Sequence, residues 1–386
     1  GCFYNNNQKW FNYVTNYDGM ETMINHTNPS IVYGASQNGR LCKSTDETKT
    51  QICNLTESIT NNERGDWVTQ FGMDGNNPDI IYAAYRNLWR SKDGGMNWEK
   101  FFNLDSISAV SRNINVLTIA RKNPEVICLA KPSYSFSEDS IKSELWITYN
   151  GGESWKKCNN GLPIDSMQVR AIEINGDNPQ EIWISFNTSY SELKLFKSED
   201  GGESWINITN SFPNISVNSI QYQDGSESKI LYLGTNYGVW YTYEGFNGWT
   251  PLVKNLPNNT VTELEIQYKS GKLYASTYGR GIWMTDLVQP STDVKEYNFN
   301  SNIVVTISSN PNQGSFVLNI SQSNDNTYID YNLDIVDIFG RIVYTEPISA
   351  NSKFEKQFNL NLSSGVYYLK ISKNNQMHVE KLIISR

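Results

Sequence analysis

The chain has 386 residues, enough for two domains, and is 13% aromatic with 11 Trp and 23 Tyr but only 19% charged. A formal charge of −8 argues against a nucleic-acid backbone as partner, and no run of eighteen apolar residues is present to span a membrane. Low charge, many aromatics and abundant Asn suit an all-β protein rich in turns better than a helical one.

The opening GCFYNNNQKW has no initiator Met and no signal-peptide pattern, which fits a processed chain or the carboxyl-terminal part of a longer one. From Gln8, QKWFNYVT reads as an isolated strand. Asn-Pro turns then recur, each followed by a short aromatic strand: NPSIVYGAS from Asn28, NPDIIYAAY from Asn77, NPEVICLA from Asn123 and NPQEIWISF from Asn178. SKILYLGTNYGVWYT from Ser228 and GKLYASTYGRGIWMT from Gly271 continue the series without the Asn-Pro. An alternating strand precedes these elements, as in QVRAIEIN and TVTELEIQY, and a glycine-rich turn ending in Trp follows several of them. The repeat of about 45 to 55 residues is that of a four-stranded propeller blade. Six units fit between residues 17 and 287, and the isolated strand is expected to complete the sixth and close the ring.

The turn reads RSKDGGMNW from Arg90, ITYNGGESW from Ile147 and KSEDGGESW from Lys197, with a worn copy, YTYEGFNGW, from Tyr241. Glycine supplies the backbone angles, the acid accepts N–H groups within the turn, and Trp98, Trp155, Trp205 and Trp249 begin the outer strand. One acid repeated at one place in several blades points to a structural device. Ser91, Asp93, Gly95 and Trp98, and Ser198, Asp200, Gly202 and Trp205, match the Asp-box or BNR repeat, and Gly152 with Trp155 keeps all but the acid. Residues 1–287 thus resemble the secreted propellers grouped with sortilin-like domains and xyloglucanase-type glycoside hydrolases. That resemblance implies a fold, since enzymes, receptors and inert modules share it.

Residues 288–301 read as a polar linker, and residues 302–386 as short strands of a small Ig-like antiparallel sandwich. This tail closely resembles the C-terminal sorting domain of type IX secretion substrates. The parts run in order: Asn310, Pro311, Gly314 and Phe316; Asp337, Gly340, Arg341 and Val343; Leu362, Gly365, Tyr367 and Ile371; and a basic-hydrophobic end from Lys381. The resemblance implies export across the outer membrane of a Gram-negative bacterium, with the outer-membrane shuttle and the sortase as partners. It makes the chain secreted or attached to the cell surface. Asp-Ser followed by an aliphatic residue or Met, at Ser106, Ser140 and Ser166, resembles the O-glycosylation sites of such bacteria.

The five cysteines include Cys42 and Cys53, which flank a hairpin-like segment and could form a disulfide in an exported protein. With two His and no spaced ligand set, no metal or cofactor is expected. Hydrolysis of a polysaccharide needs two carboxylates across a cleft, and Asp18, Asp66 and Glu21 are the candidates near the ring face. Binding needs less. Aromatic platforms at Tyr85, Tyr134, Phe136, Tyr237 and Tyr278 beside amides suit sugar rings or a surface protein. The reading is a β-propeller that binds glycan or protein as an adhesion module, with a xyloglucanase-type hydrolase as the alternative.

Overall fold

A computed structural model describes residues 3–6, 9–12, 18–132, 143–189, 192–209, 212–246, 248–252, 259–289, 303–322, 329–337, 341–351, 353–373 and 376–385. Among the described residues, a two-stranded hairpin and then six antiparallel blade sheets follow one another along the first unit, residues 1–290. Blade 1 comprises Gly19–Ile24, Val32–Ser36 and Arg40–Ser44, with Lys43 and Ile52 exchanging backbone hydrogen bonds beyond it. Blade 2 is Gln70–Met73, Ile81–Ala84, Leu88–Ser91 and Glu99–Phe102; blade 3 is Val116–Ile119, Ile127–Lys131, Glu144–Thr148 and Lys156–Lys157. Blade 4 is Val169–Ile174, Ile182–Phe186, Leu195–Ser198 and Ile206–Asn207; blade 5 is Val217–Tyr222, Leu231–Thr235, Gly238–Thr242 and Thr250–Pro251. Blade 6 has three strands, Val261–Gln267, Lys272–Thr277 and Gly281–Asp286.

First strands of successive blades touch one another from blade 1 to blade 6, so they form the inner ring of a propeller. Second strands of blades 1 to 5 are buried along their whole length, because both their faces meet a neighbouring blade or loop. First strands alternate instead, as in the buried Val169, Ile172 and Ile174 of blade 4. Apolar cores fill the five interfaces from blade 1–2 to blade 5–6. Among the described residues no such core joins blade 6 to blade 1, and Ile282 and Met284 on the far face of blade 6 are 59% and 65% exposed.

The expected ring closure is corrected. Lys9–Asn12 pairs with Phe3–Asn6 in a hairpin, not with the last blade. A hairpin between adjacent segments has far less loop entropy to overcome than a pairing across the whole ring.

The glycine-rich turns are built alike. Ser91 Oγ donates to Asp93 Oδ1 (2.8 Å) and accepts from Gly95 N–H (2.8 Å), while Asp93 Oδ1 also accepts from the N–H of Asn97 (2.9 Å). Ser198, Asp200, Gly202 and Ser204 repeat this pattern, as do Thr148, Asn150, Gly152 and Ser154. Hydrogen bonds from the hydroxyl and N–H of Ser204 and from Ser198 hold the Asp200 carboxyl down at about 2. Trp98 and Trp205 donate their indole N–H to the preceding blade, at Leu55 O (2.9 Å) and Cys158 O (3.2 Å). These two turns therefore lock their own hairpins and clasp a neighbour by hydrogen bond, while Trp155 stacks on Phe102 of the preceding blade (4.2 Å). Cys42 and Cys53 are joined as a disulfide.

The second unit, residues 291–386, packs two sheets around one core. Ile303–Ser308, Ser315–Gln322 and Lys353–Asn359 form one; Ile342–Ala350, Ile329–Asp337, Gly365–Lys373 and Gln376–Ile384 form the other. Asn310 stitches the start of this sandwich to its last strand, accepting from Ile383 N–H (2.8 Å) and donating to Lys381 O (2.6 Å). Gly314 N–H reaches Asn312 Oδ1 (2.7 Å), and Tyr367 OH reaches Ser363 O (3.0 Å). Asp337 closes its hairpin on Arg341, whose Nε lies 2.7 Å from Oδ2. Gly340 lies outside the described residues.

Candidate functional site

Antiparallel strands put the first and third hairpin turns of every blade at one end of the propeller. The second hairpin turns and the links between blades lie at the other end, here called the entry face. Asp18 and Asp66 both belong to this face and both are exposed. Asp66 Oδ1 accepts from Trp67 N–H (2.8 Å), and its carbonyl accepts from Asn38 N–H (3.1 Å) and the Thr69 hydroxyl (3.1 Å). It caps the link between blades 1 and 2.

Large aromatics stand open on the same face. Tyr237 (62% exposed) and Tyr278 (78% exposed) occupy corresponding second turns of blades 5 and 6, and Trp67 (57% exposed) lies on the blade 1–2 link. Amides surround them: Asn218 Nδ2 donates to Asn236 Oδ1 (3.0 Å), and Asn259 Nδ2 to Tyr278 O (2.7 Å). Tyr85 is corrected. It is fully buried, its hydroxyl donating to Gly39 O (2.6 Å) in a space that a side chain at Gly39 would fill. It cannot reach a ligand. Tyr134, Phe136 and Ser140 lie outside the described residues. Ser106 and Ser166 are exposed in turns, their hydroxyls bonded to the carbonyls of Asn103 and Pro163.

The inner ring gathers Glu21, a candidate from the sequence, with three acids that the sequence did not single out. Glu21 of blade 1, Glu173 of blade 4, and Glu263 and Glu265 of blade 6 face one central space and feel each other's charge. Burial, then the charges of Glu263 and Glu21, raises the Glu265 carboxyl to about 7. Burial and Glu263 raise Glu21 to about 7, against a hydrogen bond from Gln70 Nε2 to Glu21 Oε1 (2.8 Å). Burial pushes Glu173 up as well, although its Oε1 accepts from Tyr222 N–H (2.9 Å) and Gln221 Nε2 (3.1 Å). Glu263 and Glu265 keep much of their surface open to water while protein surrounds them, as befits the wall of a narrow wet channel. The signal is an acid at the same inward position, the fifth, of VRAIEI and VTELEI, easily taken for the polar side of an alternating strand.

No helix among the described residues is long and apolar enough to cross a membrane. A comparison with curated proteins finds no match. Among solved structures, the chain is similar to an ancestral GH74 enzyme, with 12% identity and a TM-score of 0.50, over 86% of this chain and 38% of that one. It is also similar to YCF48 from Cyanidioschyzon merolae, with 10% identity and a TM-score of 0.45, over 95% of each chain. A third likeness is to the extracellular domain of a one component system from B. thetaiotaomicron, with 12% identity and a TM-score of 0.40, over 95% of this chain and 57% of that one. At such identities the GH74 likeness speaks to fold alone, and this chain spans well under half that enzyme's length. Residues 290–385 match the family described as a secretion system C-terminal sorting domain. The carboxyl-terminal unit is therefore the tail of a bacterial protein exported by the type IX route to the outside of the cell or its surface.

Proposed function

We propose that this chain is an Asp-box propeller of the sortilin-like and xyloglucanase-like group that a Gram-negative bacterium exports to hold glycan or protein at the cell surface. The outer-membrane shuttle and the sortase read its tail, and Ser106 and Ser166 carry O-linked sugar. The observation that carries the binding reading is the entry face, where Trp67, Tyr237 and Tyr278 stand exposed beside amides. An aromatic ring offers its face to the apolar side of a pyranose, while amides take the hydroxyls. Replacing Tyr237 and Tyr278 together by Ala should weaken retention of a bound polysaccharide at least tenfold, about 1.4 kcal/mol. Unchanged retention in a folded double variant would remove this face from the account.

A second reading, hydrolysis, draws support from the channel. A carboxyl held protonated near neutrality is what a general acid needs, and Glu265 and Glu21 have that property. Against it, Glu21 and Glu173 already serve as ties between adjacent inner strands, and Asp66 caps a link. Loss of reducing-sugar release in Glu265→Gln, with Asp18→Asn and Asp66→Asn alongside, would establish this reading.

A further inference from the structure

The fifth blade departs from the glycine-rich turn at two residues, Glu244 where the others have Asp or Asn, and the residue in place of the second glycine. Counting from the hydroxyl residue, the second glycine stands four places on, at Gly95, Gly152 and Gly202; in blade 5, counted from Thr242, that place is Phe246. The glycines are there for contact. An added Cβ would lie 2.2 Å from Phe101 at Gly152 and 3.0 Å from Cys158 at Gly202, both on the preceding blade. The residue of blade 4 that corresponds to Cys158 is Ile208: each accompanies the short outer strand and sends its N–H back to the third strand. A phenyl ring cannot enter a space that excludes a methyl group, so the turn has to stand off from Ile208.

The hydrogen bonds record that shift. Gly94, Gly151 and Gly201, three places on from the hydroxyl residue, donate N–H to Asp79, Glu125 and Gln180 in the first hairpin of their own blade. In blade 5 the donor is Glu244, only two places on, and the acceptor is Ser228. Its carboxylate takes Lys229 Nζ (2.7 Å), where the acid of the other turns bonds within its own loop. The displaced turn leaves a pocket of about 220 Å3 between blades 4 and 5, at the end of the propeller opposite the entry face.

Tyr243 and Phe246 line it as a parallel stack (5.1 Å between centroids, 14°), with Trp249 beside them and Trp183 and Leu231 beneath. The charges on its walls all have partners, Lys229 with Glu244 and Lys197 with both Glu181 (3.0 Å) and Glu199 (2.6 Å), the last outside the lining. An anion or a cation would have to displace a partner already in place. Flat apolar rings, polar pairs that can trade hydrogen bonds with hydroxyls, and no unpaired charge in the lining together suit one chemistry. At this volume, below the ~300–1,000 Å3 usual for larger ligands, the pocket has room for a single ring.

We propose that the pocket between blades 4 and 5 binds one pyranose ring of a neutral glycan, at a site separate from the entry face and created by Phe246 in place of glycine. It shares with the function proposed above only the class of ligand. The test is titration of the whole chain with cellohexaose, maltohexaose and xylohexaose, read by Trp fluorescence and by calorimetry. At least one should bind, and Phe246→Gly should weaken it at least tenfold while the melting temperature holds or rises. Tyr243→Ala should weaken it likewise, and serves if Phe246→Gly does not fold. The Tyr237 and Tyr278 double variant should leave this binding unchanged. Equal binding by wild type and both pocket variants would overturn this site and leave the entry face standing. Loss in the entry-face variant alone would do the same. Binding of none of the three sugars would overturn the site outright.

Discussion

Gly152→Ala tests whether the glycine-rich turns hold the propeller together by close approach between blades. At this position φ is +88°, and an added Cβ would sit 2.2 Å from Phe101 Cζ and 2.8 Å from its Cε2, where carbon atoms are normally at least ~3.5 Å apart. Two costs follow. A left-handed backbone costs an L-residue about 1–2 kcal/mol, and overpacking a filled site costs about 1–3 kcal/mol. Phe101 cannot yield cheaply, since its ring packs edge-on against Tyr82 (5.4 Å) and lies under the Arg90 guanidinium (4.1 Å). The sum is about 2–5 kcal/mol. Gly161 separates the two parts: its φ is +82°, with nothing within 4 Å of an added Cβ, so Gly161→Ala should show only the backbone part. The assay is urea unfolding followed by Trp fluorescence, which reports the propeller selectively because all 11 Trp precede residue 290. In a Phe101→Ala background the cost of Gly152→Ala should fall toward that of Gly161→Ala. If Gly152→Ala is as mild as Gly161→Ala in the wild-type chain, the clasping argument fails.

Other expectations concern charge and the tail. Glu21 and Glu265, raised to about 7, contribute stability that is fully present below about pH 4.5 and is lost as pH rises through 7. Thermal melts should therefore show Glu265→Gln stabilising the propeller at pH 8 and nearly neutral at pH 5. A variant that destabilises equally at both would refute the mutual repulsion. Asn310→Ala removes two hydrogen bonds to the last strand and should cost about 1–2 kcal/mol locally, read as faster amide exchange at Ile383. Exchange at Ile383 unchanged by the substitution would show that the stitch is not needed. Chain recovered from its own bacterium should carry added hexose mass that falls on Ser166→Ala; an intact mass equal to the bare polypeptide would dismiss the modification.

Local features were legible in the sequence and remote ones were not. The Ser-Asp-Gly-Gly-Trp spacing announces a turn because each of its hydrogen bonds joins groups no more than four residues apart. Repetition of that turn, with the Asn-Pro hairpins, was enough to count blades. Tyr85 reads as an open platform in the sequence because its partner, Gly39, is 46 residues away and no local pattern records it. Glu173, Glu263 and Glu265 of the channel are hidden in the sequence for a related reason. Alternation marks Glu173 and Glu265 as polar-side residues, but only the ring brings that side to face other acids. Closure by Lys9–Asn12 failed because a neighbouring strand was available at lower entropic cost. Phe246 lies between these cases: its departure from the pattern is visible in the sequence, while its consequence depends on Ile208 of the preceding blade.

The measurement that bears most directly on the binding account takes the purified chain and a set of neutral polysaccharides and scores retention and reducing ends on the same samples. The account predicts retention of at least one polymer with no release above a buffer blank. Release that disappears in Glu265→Gln or Asp66→Asn would contradict it and make the propeller a hydrolase.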